Sequence, residues 1–198
     1  MANQNGAKYG FTGLFPIKTD GHSAKLRTLL RSLDNKQCYP RGSPLSDVPI
    51  VHMARFVIID GLPYQGAPAK LDTLKSHYLL FACDFDGYSV DTLIHAMVSK
   101  MPQVTAIWDH CVGFPGTESL DRLTAYFEQC QLETNLLLAD QPEASVDDIL
   151  KGLMYRRRLG EFIRQVQNQP PGPAALQQDF MLMWRSLQND KPPLPGDL

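Results

Sequence analysis

Two runs of the chain, Ile50 to Asp60 (IVHMARFVIID) and His77 to Phe85 (HYLLFACDF), are apolar at both parities. Alternate residues of a strand point to opposite sides of its sheet. In the first run Val51, Met53, Val57 and Ile59 share one side, and Ile50, Ala54, Phe56 and Ile58 the other. In the second, Leu79, Phe81, Cys83 and Phe85 oppose Tyr78, Leu80 and Ala82. Leaving such side chains wet costs on the order of 1.5–3 kcal/mol each. A sheet built on these strands therefore needs cover on both faces. Helices supply one layer, and a second copy, the C-terminal segment or a ligand pocket must supply the other.

The flanking pattern places that sheet in an α+β fold. Lys8 to Ile17 is β-rich but weakened by Gly10, Gly13 and Pro16, which predicts an edge strand. Leu26, Leu29, Leu30 and Leu33 recur at helical spacing over Ser23–Leu33, before a Pro/Gly-rich loop from Cys38 to Pro49. Gly61 to Lys75 is a long connection between the two apolar strands. Ser89 then caps a helix striped by Val90, Leu93, Ile94, Met97 and Met101, ended by Pro102. Val104–Trp108 reads as a short strand or extended piece. Leu120, Leu123, Phe127 and Cys130 mark another helix, and Thr134–Ala139 a short buried strand. Ser145 and Asp148 form a capping box that opens a long helix. With the inserted piece removed, the order is β-α-β-β-α-β, the ferredoxin-like arrangement: an antiparallel sheet with helices on one face and extra C-terminal helices. Residues 1–167 form this domain. Residues 168–198 form a Pro-rich tail with a short amphipathic helix (Leu176, Phe180, Met183, Trp184, Leu187), docked on the domain or into a partner's groove.

Composition excludes several partners. A chain of 198 residues buries enough surface to fold without a disulfide or metal staple. Nineteen basic against 21 acidic residues leave a charge of −2 with no basic block, so nucleic acid and anionic membrane are not expected partners. The four cysteines, Cys38, Cys83, Cys111 and Cys130, contain no CxxC and suit reduced thiols. No apolar run approaches the ~20 residues that span a bilayer, and Met1–Gly10 lacks the apolar core of a signal peptide. The expected location is the cytoplasm.

The phrases VHMARFVIID (Val51 to Asp60) and LLFACDFDG (Leu79 to Gly87), with the strand order and two-sided sheet, resemble the dimeric α+β barrel superfamily over roughly residues 8 to 165. They are also similar to a group of uncharacterised bacterial proteins with a His-aromatic-Ala-Arg strand and a Leu-Leu-Phe…Asp-Gly strand. The superfamily includes antibiotic-biosynthesis-type monooxygenases, chlorite-dismutase-like proteins and dye-decolourising peroxidases. The resemblance implies a homodimer and a small-molecule pocket against the open sheet face, with oxidoreductase chemistry as one expectation. Asp86-Gly87 echoes the Asp-Gly of the peroxidase signature. Phe85 stands where its preceding glycine belongs, which counts against haem peroxidase chemistry.

Polar residues that interrupt the apolar strands are the candidate site. Hairpin pairing about residue 68 sets His52 opposite Asp84 and Arg55 near Phe81. A His–Asp pair orients an imidazole as a general base or metal ligand, or simply holds the hairpin in register. Arg55 in so apolar a strand needs an acceptor, because an unpaired buried charge is very costly. Asp84 and Asp86 share a parity and can shift one another or hold a metal, or merely lead into a helix cap. Trp108, Asp109, His110 and Cys111 form a second polar-aromatic cluster, although neighbours such as His110 and Cys111 point apart on an extended chain. Convergence of His52, Asp84 and His110 would make a set suited to non-haem iron. His22, His77 and His95 read as surface or capping residues, and Arg156–Arg158 as solvated charges. No GxGxxG, Walker A, GxSxG or HExxH pattern names a cofactor or reaction. Two functions follow as expectations. One is a small-molecule-binding barrel using His52, Arg55, Asp86 and His110; the other is a non-catalytic dimeric interaction protein.

Overall fold

The structure is a computed structural model that describes residues 2–33, 37, 39–64, 66–68 and 73–197. Cys38 and part of the Gly61–Lys75 connection lie outside the described residues. A four-stranded antiparallel sheet contains β1 (Gln4–Asn5), β2 (Lys8–Pro16), β3 (Val51–Gly61) and β4 (Thr73–Asp86), in the order β1-β2-β4-β3. The helices are α1 (His22–Leu33), α2 (Val90–Lys100), α3 (Gln103–Trp108), α4 (Leu120–Cys130), α5 (Val146–Asn168) and α6 (Pro173–Asn189), with a 3-10 turn at Pro44–Asp47. The protein is thus mixed α+β, and β4 lies between β2 and β3.

Two expected strands are not formed. Thr134–Ala139 runs as irregular chain beside the N-terminal edge of the sheet: Asn5 Nδ2 donates to the Leu137 carbonyl at 3.0 Å, and the Thr134 amide to Asn3 Oδ1 at 3.0 Å. The edge of β2 that it would pair with is taken in part by the two-residue β1, and the Thr134 amide turns to a side chain instead. Val104–Trp108 is helical, because Val104, Ile107 and Trp108 come onto one buried side at helical spacing.

One face of the sheet carries the core. Phe11 and Phe15 of β2, Leu79, Phe81, Cys83 and Phe85 of β4, and the half-buried Ala54, Phe56 and Ile58 of β3 meet Leu26, Leu93, Met97, Ile107, Trp108, Leu123 and Phe127 from α1–α4. Phe15 and Phe127 rings lie 4.9 Å apart, and Trp108 stands edge-on to Phe81 at 5.2 Å. Gly13 makes room for this aromatic layer: a Cβ there would lie 2.6 Å from Phe15 Cε2 and 2.8 Å from Phe11 Cε1. Gly13→Ala is therefore expected to cost about 1–3 kcal/mol by overpacking, read from urea denaturation.

The other face is only partly covered by the single chain. Its β3 residues Met53 (67% exposed) and Val57 (44%) are open, while Leu14, Tyr78, Leu80, Ala82 and Ile59 are half-buried. Helices α5 and α6 pack on one another through Tyr155–Trp184 (5.8 Å) and Phe162–Phe180 (6.0 Å). The tail helix is thus 17 residues long rather than short, with Leu187 buried and Gly196 against the Arg41 backbone. No helix among the described residues is long and apolar enough to cross a membrane.

Candidate functional site

Side chains that break the apolar pattern of the open face gather where β2 starts, β4 ends and β3 begins. Val51 pairs with Phe85, but the next pair is Met53 with Asp84, so His52 is an extra residue in β3. A bulge of this kind re-aims a side chain. His52 reaches Asp86 instead of Asp84, with Nε2 2.7 Å from Oδ1. The same slip places Arg55 opposite Ala82 rather than near Phe81.

Asp86 is bonded on both oxygens. Lys8, its cross-strand partner and only 6% exposed, brings Nζ to 2.5 Å from Oδ1 and also donates to the Ala144 carbonyl. The Val146 amide donates to Oδ2 at 2.8 Å. That amide belongs to the first residue of α5, whose capping box satisfies others: the Asp148 amide donates to Ser145 Oγ, and the Ser145 amide to Asp148 Oδ2. A carboxylate at a helix N-terminus is favoured by the helix dipole. Burial alone would raise the Asp86 carboxyl, but the bonds from Lys8, His52 and Val146 outweigh it and hold the group below the usual carboxylate range. An ionised carboxylate only accepts, so His52 Nε2 is its donor and Nδ1 is the acceptor of the neutral ring.

Asp84, two residues back on the same face, is different. Its strand neighbours are Met53 and Gly10, and a Cβ on Gly10 would lie 3.3 Å from Asp84 Oδ1 and 3.0 Å from Leu137 Cδ1. Among the described residues the Asp84 carboxylate has no hydrogen bond or ion pair, and it meets His52 and Arg55 only through their charge. Burial raises its pKa, and the charges that Arg55 carries and His52 gains on protonation offset the rise in part. A carboxyl raised above its unfolded value of about 3.9 adds stability at low pH and loses it as pH rises through the folded value. Asp84→Asn is thus expected to raise the melting temperature modestly at pH 7 but not at pH 3. Melts at both pH values check this, and a lower Tm at pH 7 contradicts it.

Above these residues lies a cleft of about 690 Å³, with Lys8, His52 and Asp84 in its polar lining and Met53, Leu137, Leu138, Ile149 and Leu153 in its apolar lining. The irregular 137–144 segment and the first two turns of α5 form one side. Asp86 therefore does two things at once: it orients His52 and pins the wall that closes the cleft.

The other candidates fall elsewhere. Arg55 is exposed on the same face, which removes the need for a buried acceptor. His110 lies past the far end of β2, where its carbonyl accepts from the Lys18 amide. Lys8 and Ile17 are separated by roughly 30 Å of strand, so His52, Asp84 and His110 do not converge, and the iron-type set is not assembled. His110 Nδ1 sits 2.9 Å from Nδ1 of His22, a residue read above as a surface or capping group. Burial and the neighbouring His22 lower the His110 pKa. Cys111 turns into the core, and burial pushes its thiol up to about 12, which argues against a reactive nucleophile. Cys83, Cys111 and Cys130 are all free thiols. Arg157 and Arg158 pair with Glu161 on the surface, as expected of solvated charges. Among the described residues no three His, Cys, Asp or Glu side chains gather as a metal-ligand set.

Sequence reasoning missed Lys8 and the 137–149 wall. Lys8 carries a signal, since it begins an otherwise apolar strand, but its partner emerges only from the β2–β4 register. In comparisons with known proteins the chain matches no family model, no curated protein and no solved structure, so its own geometry carries the functional reading.

Proposed function

We propose that the cleft binds a small amphipathic molecule and that His52, held by Asp86, exchanges a proton with it. The observation that carries this reading is that His52, held through Nε2 by Asp86 behind the lining, shares a cleft of about 690 Å³ with apolar walls. Small-molecule sites are commonly concave, mostly apolar, about 300–1,000 Å³ in volume and furnished with a few placed polar groups. A histidine fixed through one nitrogen presents the other as a general base, provided that it lies within hydrogen-bond reach of the substrate. The same pair serves an oxidoreductase in which the redox-active group is the bound molecule and His52 takes or returns the proton. A fragment screen on the full chain, read by methyl and amide NMR, tests the site. Hits are expected to shift Met53, Leu137, Ile149 and Leu153; shifts confined to other surfaces, or no hits, overturn the reading.

A second reading is favoured by the openness of Met53 and Val57 on the sheet and of Leu159, Ile163, Met181 and Leu182 on α5 and α6. Here the chain is an interaction protein whose open sheet face is closed by a second copy. Sizing with light scattering separates the two states, and a monomer at tens of micromolar counts against the dimer. Both readings sit on a ferredoxin-like frame as in the dimeric α+β barrels. Support comes from the order of the three long strands, β2-β4-β3, with β1 and the 131–138 segment sharing the place of a fourth.

A further inference from the structure

We infer that the cleft selects an amphipathic amine, whose ammonium group pairs with Asp84 while its hydrocarbon body lies along Leu137, Leu138, Ile149 and Leu153. The inference rests on the small-molecule reading above and adds the chemical class of the ligand.

It follows from which charges in the lining are already spoken for. Lys8 and His52 both bond Asp86, and Lys8 donates in addition to the Ala144 carbonyl. Asp148 is engaged by the amide and hydroxyl of Ser145. What remains uncommitted among the described lining residues is negative: Asp84 and, at the rim, Asp140. Arg55 is exposed and outside the cleft lining, so no free cation among the described lining residues awaits an anion. A carboxylate or phosphate ligand would meet the like charge of Asp84, and the lining cation Lys8 and the imidazole of His52 are already bonded to Asp86. A neutral alcohol would give Asp84 a single ordinary hydrogen bond. An ammonium gives it a charge-assisted one, roughly twice as strong as a neutral pair.

The walls fix the rest of the ligand. Leu138 is 84% exposed and Ile149 and Leu153 are also open to solvent, so a hydrocarbon body laid on them removes apolar surface from water on both sides. Gly10 matters here because its missing Cβ leaves Asp84 and Leu137 side by side, the carboxylate next to the start of the apolar wall. A carboxylate with no partner among the described residues, kept beside a greasy wall, is a poor choice for folding and a suitable one for holding an amine.

The test is calorimetric titration of the full-length chain at pH 7 with hexylamine, hexan-1-ol and hexanoate. Hexylamine is expected to bind about tenfold or more tightly than hexan-1-ol, as a charged hydrogen bond in place of a neutral one implies, and hexanoate most weakly. Asp84→Asn should bring hexylamine down to the level of the alcohol, with circular dichroism confirming the fold; Asp84→Ser serves as a second variant. Asp140→Asn should leave most of the preference in place. Lowering the pH should erase the preference as Asp84 takes up its proton. Equal binding of all three probes, tightest binding of hexanoate, or an amine preference that survives both Asp84 variants overturns the amine assignment while the small-molecule reading stands. Absence of binding by all three overturns the amine assignment. If the fragment screen also leaves the cleft unperturbed, the broader reading falls with it.

Discussion

Replacing Asp86 by alanine is expected to destabilise the protein by about 3–5 kcal/mol, the range for removing one partner of a buried ion pair. The loss is large because three donors are orphaned together. Lys8, with its side chain only 8% exposed, keeps a charge without a counter-ion. His52 Nε2 and the first amide of α5 lose their acceptor as well. Lys8→Met combined with Asp86→Ala should restore part of the loss, since the unpaired buried charge is then gone. Chemical denaturation of the two single variants and the double variant measures the coupling. Losses that simply add would show that the pair is not the staple described here. The pH dependence has a definite sign. Because the folded-state pKa of Asp86 is depressed, its contribution is fully present above the unfolded value of about 3.9 and is lost as pH falls through the folded value. The α5 wall should loosen in the same acid range, visible as faster amide exchange at Val146.

Trp108→Ala should be comparably severe, at about 3–5 kcal/mol. Trp108 is fully buried and touches the rings of Phe15, Phe56, Phe81 and Phe127 at 5.0–5.8 Å, so its removal opens a hole at the meeting point of sheet and helices. Against a typical net stability of 5–15 kcal/mol, such a change threatens folding outright. Trp108→Phe should cost distinctly less, because the buried indole Nε1 has no hydrogen-bond partner among the described residues and no bond to them is lost with it. Thermal melts of both variants check the order; equal losses would contradict the claim that ring volume is what counts.

Trp108 also shows where the sequence was hard to read. Beside Asp109, His110 and Cys111 it looked like part of a polar site, yet a six-residue helix turns it inward while His110 goes to His22. Local composition does not reveal that turn, because its hydrophobic contacts are all distant in the chain. The strands Val51–Gly61 and Thr73–Asp86 were legible within a few residues from their apolar runs, as was the Ser145–Asp148 cap from its spacing. The partner of His52 was missed by two residues along β4, for a physical reason: a bulge at His52 breaks the register, and nothing in a period-two pattern announces it. The cleft wall at 137–149 was missed because it has no periodicity to read. It is placed by Asp86 and Lys8 reaching out from the sheet.

The most direct test is the ¹⁵N spectrum of the His52 imidazole. The neutral ring is expected to be the Nε2–H tautomer, with the Nε2 proton shifted downfield by Asp86 and Nδ1 responding when a ligand enters the cleft. A neutral ring protonated at Nδ1 instead, or one whose nitrogens ignore every ligand bound beside Met53 and Leu137, would contradict that expectation.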